Sequence, residues 1–402
     1  MESVSETAPL MLESAALLIG GAFIVVSIAI RLGVPAILGY LLTGLVLGPH
    51  VLGLLREEGA ALSALGELGV ILLMFTLGLK FSWAKLVELR RLIFGIGGAQ
   101  VGITTAIVAV GTILLLGTTW PIAILLGAAA AMSSTALSVK QLEVCKTLGH
   151  PQGRVSIAIL LFQDLATVGF LVLIDALQTA SDTGHGIERG FINALGLLAA
   201  LLLARKLLIP LAQWIERSSN VELPQLLALF LVLSTAVGAH YAGFSPALGA
   251  FIAGMLISEG DARNVVEREV RPFRDLLLGI FFVSLGAQMD ITMLDQALGA
   301  VLAWLAIIMF LKAAILAGIL YLADTDTDVS ARVALILAHA GEFSLLLVSL
   351  SVGGGLLDNA LAQPLMLAIG ISLFVAPLLI SLSARETLLP HFIGKKWRSQ
   401  RR

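Results

Sequence analysis

Apolar runs of about membrane-spanning length, separated by short charged or Gly/Pro-marked breaks, fill this chain almost from end to end. At ~1.5 Å per helical residue, about 20 apolar residues cross a ~30 Å hydrocarbon layer. The pattern predicts thirteen such spans, with the first six near 11–30, 34–54, 63–80, 92–116, 120–139 and 152–174. The other seven fall near 190–212, 222–241, 243–259, 273–289, 297–322, 331–352 and 360–383. The second and ninth are the short, Gly/Pro-marked ones.

Composition supports the same class. Of 402 residues, 58% are hydrophobic and 13% charged, with a mean hydropathy of +1.00, whereas soluble domains carry ~25% charged residues. The expected fold class is an all-α polytopic membrane protein with about thirteen transmembrane helices and the lipid bilayer as its first partner. A globular enzyme is excluded by composition, and neither a His-Glu-x-x-His motif nor a nucleophile–base constellation stands out. The net charge of −2 gives no basis for a nucleic-acid partner. The single Cys145 excludes an internal disulfide and reads as an inert loop thiol. Met1 to Leu10 carries Glu2 and Glu6 and no basic n-region, so no cleavable signal peptide is expected.

The basic residues sort by side. With the N-terminus outside and the C-terminus cytoplasmic, the inner connections hold Arg31; Lys80, Lys85, Arg90 and Arg91; Lys140, Lys146 and Arg154; Arg205, Lys206 and Arg217. Arg263, Arg268, Arg271, Arg274 and Arg332 follow, and the tail adds Arg385, Lys395, Lys396, Arg398, Arg401 and Arg402. Only Arg56 and Arg189 fall outside, and Lys312 lies within a span. Such sorting is the positive-inside pattern of a plasma (inner) membrane protein.

The chain also repeats itself. GYLLTG (39–44) matches GAFIAG (249–254), and LGVILLMFTLG (68–78) matches LGIFFVSLG (278–286), with similar offsets. The repeat pairs the second span with the ninth and the third with the tenth. Partners seven spans apart, an odd step, cross the membrane in opposite directions, so one repeat is inverted relative to the other, a construction found in secondary transporters. The expected organisation is one transporter domain over 1–402: repeat 1 about 11–174, a linker helix about 190–212, repeat 2 about 222–383 and a basic cytoplasmic tail at 384–402.

The same logic directs attention to the fifth and twelfth spans as a pair of crossing broken helices. The fifth contains Ser133, Ser134 and Thr135 among alanines; the twelfth places His339, Gly341, Glu342 and Ser344 together. Small and hydroxylated residues permit close approach, and an interrupted helix leaves backbone groups and dipole ends that need partners. Glu342 reads as support for the broken twelfth span, and His339 as a hydrogen-bonded packing residue.

Two charges lie deepest. Asp164, in Phe162-Gln163-Asp164, sits near the middle of the sixth span, and Lys312 lies within the eleventh. An insertion cost of roughly +2.5 to +3.5 kcal/mol for each such charge marks both for function or for pairing with one another. A buried carboxylate is a site for which a proton and a dehydrated monovalent cation compete; alternate exposure of that site to the two sides gives antiport. Gln163 orients the carboxylate, contributes an oxygen or ties helices together. Asp175, Asp290 and Asp295 read as solvated flanks.

The Phe-Gln-Asp motif, the preceding Ser-Ser-Thr-Ala segment, the late Gly-Glu-Phe and the stretch 257–286 resemble the monovalent cation:proton antiporter-2 family, most closely its Kef-type potassium/proton antiporters. The resemblance covers nearly all of the chain. It implies a homodimer with a moving core, Asp164 as the ion-binding aspartate, Gln163 where many sodium-selective relatives carry a second acid, and cation contacts at Thr135 and the adjoining Ser134. It further implies Lys312 as the aspartate's partner, with K+ or Na+ and H+ as transported ions and no cofactor in this chain. Kef-type proteins usually continue into a cytoplasmic nucleotide- and glutathione-binding regulatory domain of Rossmann type; here such a domain or subunit is expected to be missing from the chain. The expected activity is K+/H+ exchange, with Na+/H+ exchange or a gated, channel-like K+ efflux pathway as alternatives.

Overall fold

The computed structural model describes residues 2–54, 60–80, 87–179, 222–242, 244–258 and 262–385, and every regular element among them is helical. The helices are α1 (Glu2–Arg31), α2 (Ala36–Leu47), α3 (Ala60–Lys80), α4 (Gly98–Leu116), α5 (Trp120–Ala131), α6 (Thr135–Val144) and α7 (Pro151–Thr179). They continue as α8 (Glu222–Tyr241), α9 (Pro246–Ile257), α10 (Ala262–Gln288), α11 (Leu294–Ala306), α12 (Lys312–Leu322), α13 (Thr327–Leu337), α14 (Glu342–Gly353) and α15 (Asn359–Ser383). The expected linker helix at 190–212 and the basic tail from 386 lie outside the described residues.

Among the described residues, six helical runs are long and apolar enough to cross a membrane, or seven if the bent pair α13–α14 is one span, and three further apolar helices are shorter. This is fewer than the expected thirteen, one of which, at 190–212, lies outside the described residues. Two sources lower the number: α2 and α9 have only 12 residues each, about 18 Å of helix, and the single run Val266–Leu322 takes in two of the expected spans. Large exposed apolar side chains such as Leu114, Leu115, Phe310 and Leu322 cover the outside, as a lipid-facing surface requires.

The chain divides into two compact units. The first comprises Met1–Phe23, Tyr40–Glu88 and Leu171–Gln288. Its core joins Leu72, Phe75 and Leu79 of α3 to Leu231 and Val232 of α8, Ala250 and Ala253 of α9 and Val270 of α10. Within it, the sequence repeat appears as one contact made twice. A Cβ on Gly44 of α2 would lie 1.9 Å from the Val283 carbonyl oxygen of α10, and one on Gly286 of α10 would lie 2.1 Å from the Leu41 oxygen of α2. The counterparts are Gly254 of α9, 2.1 Å from the Phe75 oxygen of α3, and Gly78 of α3, 2.2 Å from the Phe251 oxygen of α9. Only residues without a side chain let these backbones touch. The GYLLTG and GAFIAG segments thus resemble each other because each supplies the same kind of crossing.

The second unit comprises Ile24–Gly39, Leu89–Phe170 and Met289–Arg402. Here α4 packs on α5, α5 on α14, α6 on α15 and α12 on α13. Two short π-helical segments, Arg91–Gly97 and Ile307–Leu311, lead directly into α4 and α12. The second of them ends immediately before Lys312. Such wide turns shift the phase of the helix that follows and recur at functional sites.

Candidate ion site at two crossing broken helices

The α5–α6 span is interrupted in the second unit where the sequence is Met132-Ser133-Ser134. Met132 (φ −72°, ψ 149°) and Ser134 (φ −75°, ψ 114°) are extended, and the helix resumes at Thr135. The α13–α14 span breaks over Ala338 to Gly341 with a bend of 43°. The two breaks lie directly against each other. A Cβ on Gly341 would sit 2.6 Å from the Ser133 carbonyl carbon, 2.7 Å from its oxygen and 2.8 Å from the Ser134 nitrogen. The crossing broken pair expected from the sequence is therefore present.

Such a crossing creates two negative and two positive helix ends in a buried region. Lys312, with no exposed surface, serves the negative pair. Its Nζ donates to the Met132 carbonyl just beyond the end of α5 at 2.9 Å, to the His339 carbonyl beyond the end of α13, and to Ser133 Oγ at 3.2 Å. The positive pair faces carboxylates. Asp164, 4% exposed on α7, accepts a hydrogen bond at 2.9 Å from Thr135 Oγ1 at the first residue of α6. Glu342 is buried at the first residue of α14, where a carboxylate offsets the N-terminal dipole end.

The expected Lys312–Asp164 ion pair is replaced in this arrangement. An ammonium has three N–H donors, and those of Lys312 go to two carbonyls and a hydroxyl at the crossing rather than to Asp164. Depth in the sequence put both charges at one level; the released carbonyls decide which partner the cation takes.

Of the three roles open to Gln163, its hydrogen bonds are those of a tie between helices. Its Oε1 accepts from the Ser133 backbone N–H at 2.8 Å, while Nε2 donates to Gln100 Oε1 at 2.7 Å and to the Ala131 carbonyl at 3.2 Å. It ties α7 to the break between α5 and α6. Ser134 acts as the N-cap of α6, its hydroxyl accepting from Leu137 N at 3.2 Å. Ser133 Oγ donates to the Leu337 carbonyl at 3.0 Å, linking the two breaks. The His339 ring bonds at 2.6 Å to the Ala340 carbonyl and at 3.1 Å to Ser138 Oγ, placing it within the packing of the crossing. Ser344 Oγ accepts from Gly341 N at 3.1 Å. Asp175, expected as a solvated flank, is half-buried and accepts from Ser245 N at 2.8 Å at the start of α9.

Two polar partners were missed in the sequence. Gln100 of α4 is wholly buried and bonds Gln163 and the Ala131 carbonyl. Ser372 of α15 accepts from Ala340 N at 3.0 Å. An amide alone in an otherwise apolar span was the available signal for Gln100.

A carboxylate and a hydroxyl within hydrogen-bond reach of one another, beside an interrupted helix, form an oxygen-donor set suited to a hard monovalent cation or a proton. The fold is that of an all-helical membrane protein with two broken helices meeting at their interruptions. Comparison with known proteins agrees. A model of the sodium/hydrogen exchanger transmembrane family matches residues 16–385, and the chain belongs to that family. It is 34% identical over 373 residues to the putative K(+) efflux antiporter KefB of Alkalimonas amylolytica, covering 92% of this chain and 56% of that protein. The chain thus spans somewhat more than half the length of this relative. Among solved structures, it is similar in fold to the sodium proton antiporter MjNhaP1 from Methanocaldococcus jannaschii at pH 8, with a TM-score of 0.68 and 18% identity over 93% of this chain and 99% of that one. An electron-microscopy map of the same antiporter matches with a TM-score of 0.66 and 18% identity, covering 95% and 98% of the two chains.

Proposed function

We propose that the protein is a secondary active cation/proton antiporter exchanging K+ for H+, with the two ions competing for Asp164. The observation that carries this reading is the Thr135 Oγ1 to Asp164 Oδ1 bond of 2.9 Å at a buried helix break. With Asp164 ionised and the cation bound, Thr135 turns a lone pair to the ion; with Asp164 protonated, the hydroxyl accepts from the acid instead. Each ion therefore displaces the other, and alternate exposure of the site couples their opposite flows. Lys312, holding the two C-terminal helix ends, keeps the break in shape through the exchange.

The name of the KefB relative favours K+. The sodium proton antiporters share the fold, which leaves Na+ as the competing choice. In this reading the protein is a multi-pass homodimer of the plasma (inner) membrane, with its N-terminus outside and its C-terminus cytoplasmic.

The test is proton flux in proteoliposomes with K+, Na+ and Li+ compared, for wild type and Asp164→Asn. Coupled exchange, K+ preferred and lost in the variant, is expected. Wild-type exchange by Asp164→Asn would end the carboxylate mechanism, and cation current outlasting any proton gradient would indicate a channel.

A further inference from the structure

Beside the ion site runs a chain of amides whose direction is fixed at both ends by backbone. The Ser133 N–H can only donate, so Gln163 presents its oxygen there, at 2.8 Å. The Gln163 NH2 must then face acceptors, which are Gln100 Oε1 at 2.7 Å and the Ala131 carbonyl at 3.2 Å. Gln100 in turn has its own NH2 directed to the Ala131 carbonyl at 3.0 Å and to Thr104 Oγ1 at 3.4 Å. No amide in this chain can flip without setting donor against donor or acceptor against acceptor in a buried place, which carries a desolvation penalty.

We propose that Gln100 is a positioning residue that sets cation affinity and selectivity through Gln163, by fixing the unwound Met132-Ser133-Ser134 segment relative to Asp164. This rests on the reading of Asp164 as the ion site. The geometry gives Gln100 leverage. Gln163 precedes Asp164 on α7, and the segment it holds through Ser133 leads directly to Thr135, the hydroxyl bonded to Asp164. If Gln163 turned, its oxygen would leave Ser133 N, and the spacing between Thr135 and Asp164 would no longer be held from that side. The same chain accounts for the neutral residue at 163: an ionised acid there could accept from Ser133 N but could not donate to Gln100 Oε1 or the Ala131 carbonyl.

The experiment is a double-mutant cycle in proteoliposomes with wild type, Gln100→Leu, Gln163→Leu and the double variant. Half-saturation by K+, Na+ and Li+ and maximal rate are measured for each, with Asp164→Asn run in parallel. Each single variant is expected to raise half-saturation by about tenfold and narrow the preference among the three cations, with a smaller fall in maximal rate. The loss of one buried polar partner is typically of that size. Because both residues act through one chain, the double variant should show about the same tenfold change rather than about a hundredfold. Additive effects, or a lower maximal rate with unchanged half-saturation and selectivity, would overturn the proposal. Gln100→Met, closer in shape, guards against a packing defect; if neither Gln100 variant folds, the amide is a folding determinant and the proposal is wrong. Exchange surviving in Asp164→Asn instead removes the ion-site reading itself, whatever the Gln100 variants do.

Discussion

Lys312 Nζ lies 2.9 Å from the Met132 carbonyl oxygen and also donates to the His339 carbonyl, so one ammonium closes the C-terminal ends of two interrupted helices. Lys312→Ala strips both carbonyls of their donor in a buried site. At about 1–3 kcal/mol for each unmet group, the variant should lose several degrees or more of thermal stability in detergent, along with exchange. Lys312→Arg retains the charge but brings a planar fork in place of a compact ammonium, and is expected to fall between. Thermal unfolding followed by size-exclusion chromatography reads the difference. A Lys312→Ala protein as stable as wild type would show that the crossing does not depend on this cation.

Gly341 faces the Ser133 and Ser134 backbone with no room for a Cβ, which would come within 2.6 Å of the Ser133 carbonyl carbon. Neither backbone can move aside alone, because Ser133 is held by Gln163 and by the Leu337 carbonyl. Gly341→Ala should therefore force the breaks apart and abolish exchange. Gly353→Ala, at a position with nothing within 4 Å of the added carbon, should transport as wild type does. Equal transport by the two variants would contradict the tight crossing.

How much of this was legible in the chain depended on the kind of signal. Asp164, Lys312 and the Ser133–Thr135 and His339–Glu342 segments stood out because polar groups are conspicuous in apolar spans. The repeat led from one break to the other. Pairing was harder. The sequence put Lys312 and Asp164 at a common depth, yet the carbonyls that take the ammonium become available only once α5 and α13 end where they do. Gln163 kept three roles open in the sequence, since adjacent residues point about 100° apart around a helix, and only its bonds to Ser133, Gln100 and Ala131 pick out the tie between helices. Gln100 offered the signal of an amide in an apolar span, but its role has meaning only when the chain brings Gln163 and Ala131 to it. The short α2 and α9 blurred the count of spans, since 12 residues fall below the usual length of a crossing helix.

The duplicated helix contact in the first unit predicts parallel responses. Gly44→Ala would press a methyl onto the Val283 carbonyl of α10, and Gly254→Ala would press one onto the Phe75 carbonyl of α3. Each should destabilise by roughly 1–3 kcal/mol through overpacking, and the two should be alike. Gly238→Ala in α8 meets no atom within 4 Å and should be neutral or slightly stabilising, since alanine favours a helix. Thermal midpoints of the three purified variants provide the comparison. A large effect at one of the paired glycines and none at the other would break the equivalence of the two crossings.

Thr135 allows the competition at Asp164 to be tested without removing the carboxylate. Its hydroxyl donates to Asp164 Oδ1 at 2.9 Å, a bond to a charged group worth about 1.5–3 kcal/mol. Thr135→Val keeps the shape and removes both the donor and the oxygen offered to a cation. Half-saturation for the preferred cation should rise about tenfold, since ~1.4 kcal/mol is a factor of ten; Thr135→Ser should stay within about threefold of wild type. The effect of pH has a definite sign. In wild type, acidification should raise the cation concentration needed, because a proton on Asp164 excludes the cation. Without the Thr135 donor the ionised carboxylate loses support, so protons compete more successfully and this rise should begin at a higher pH in Thr135→Val. Proton-flux measurements across a pH series at several cation concentrations would detect the shift. Superimposable pH profiles for Thr135→Val and wild type would mean that the hydroxyl does not take part in the exchange of ions at Asp164.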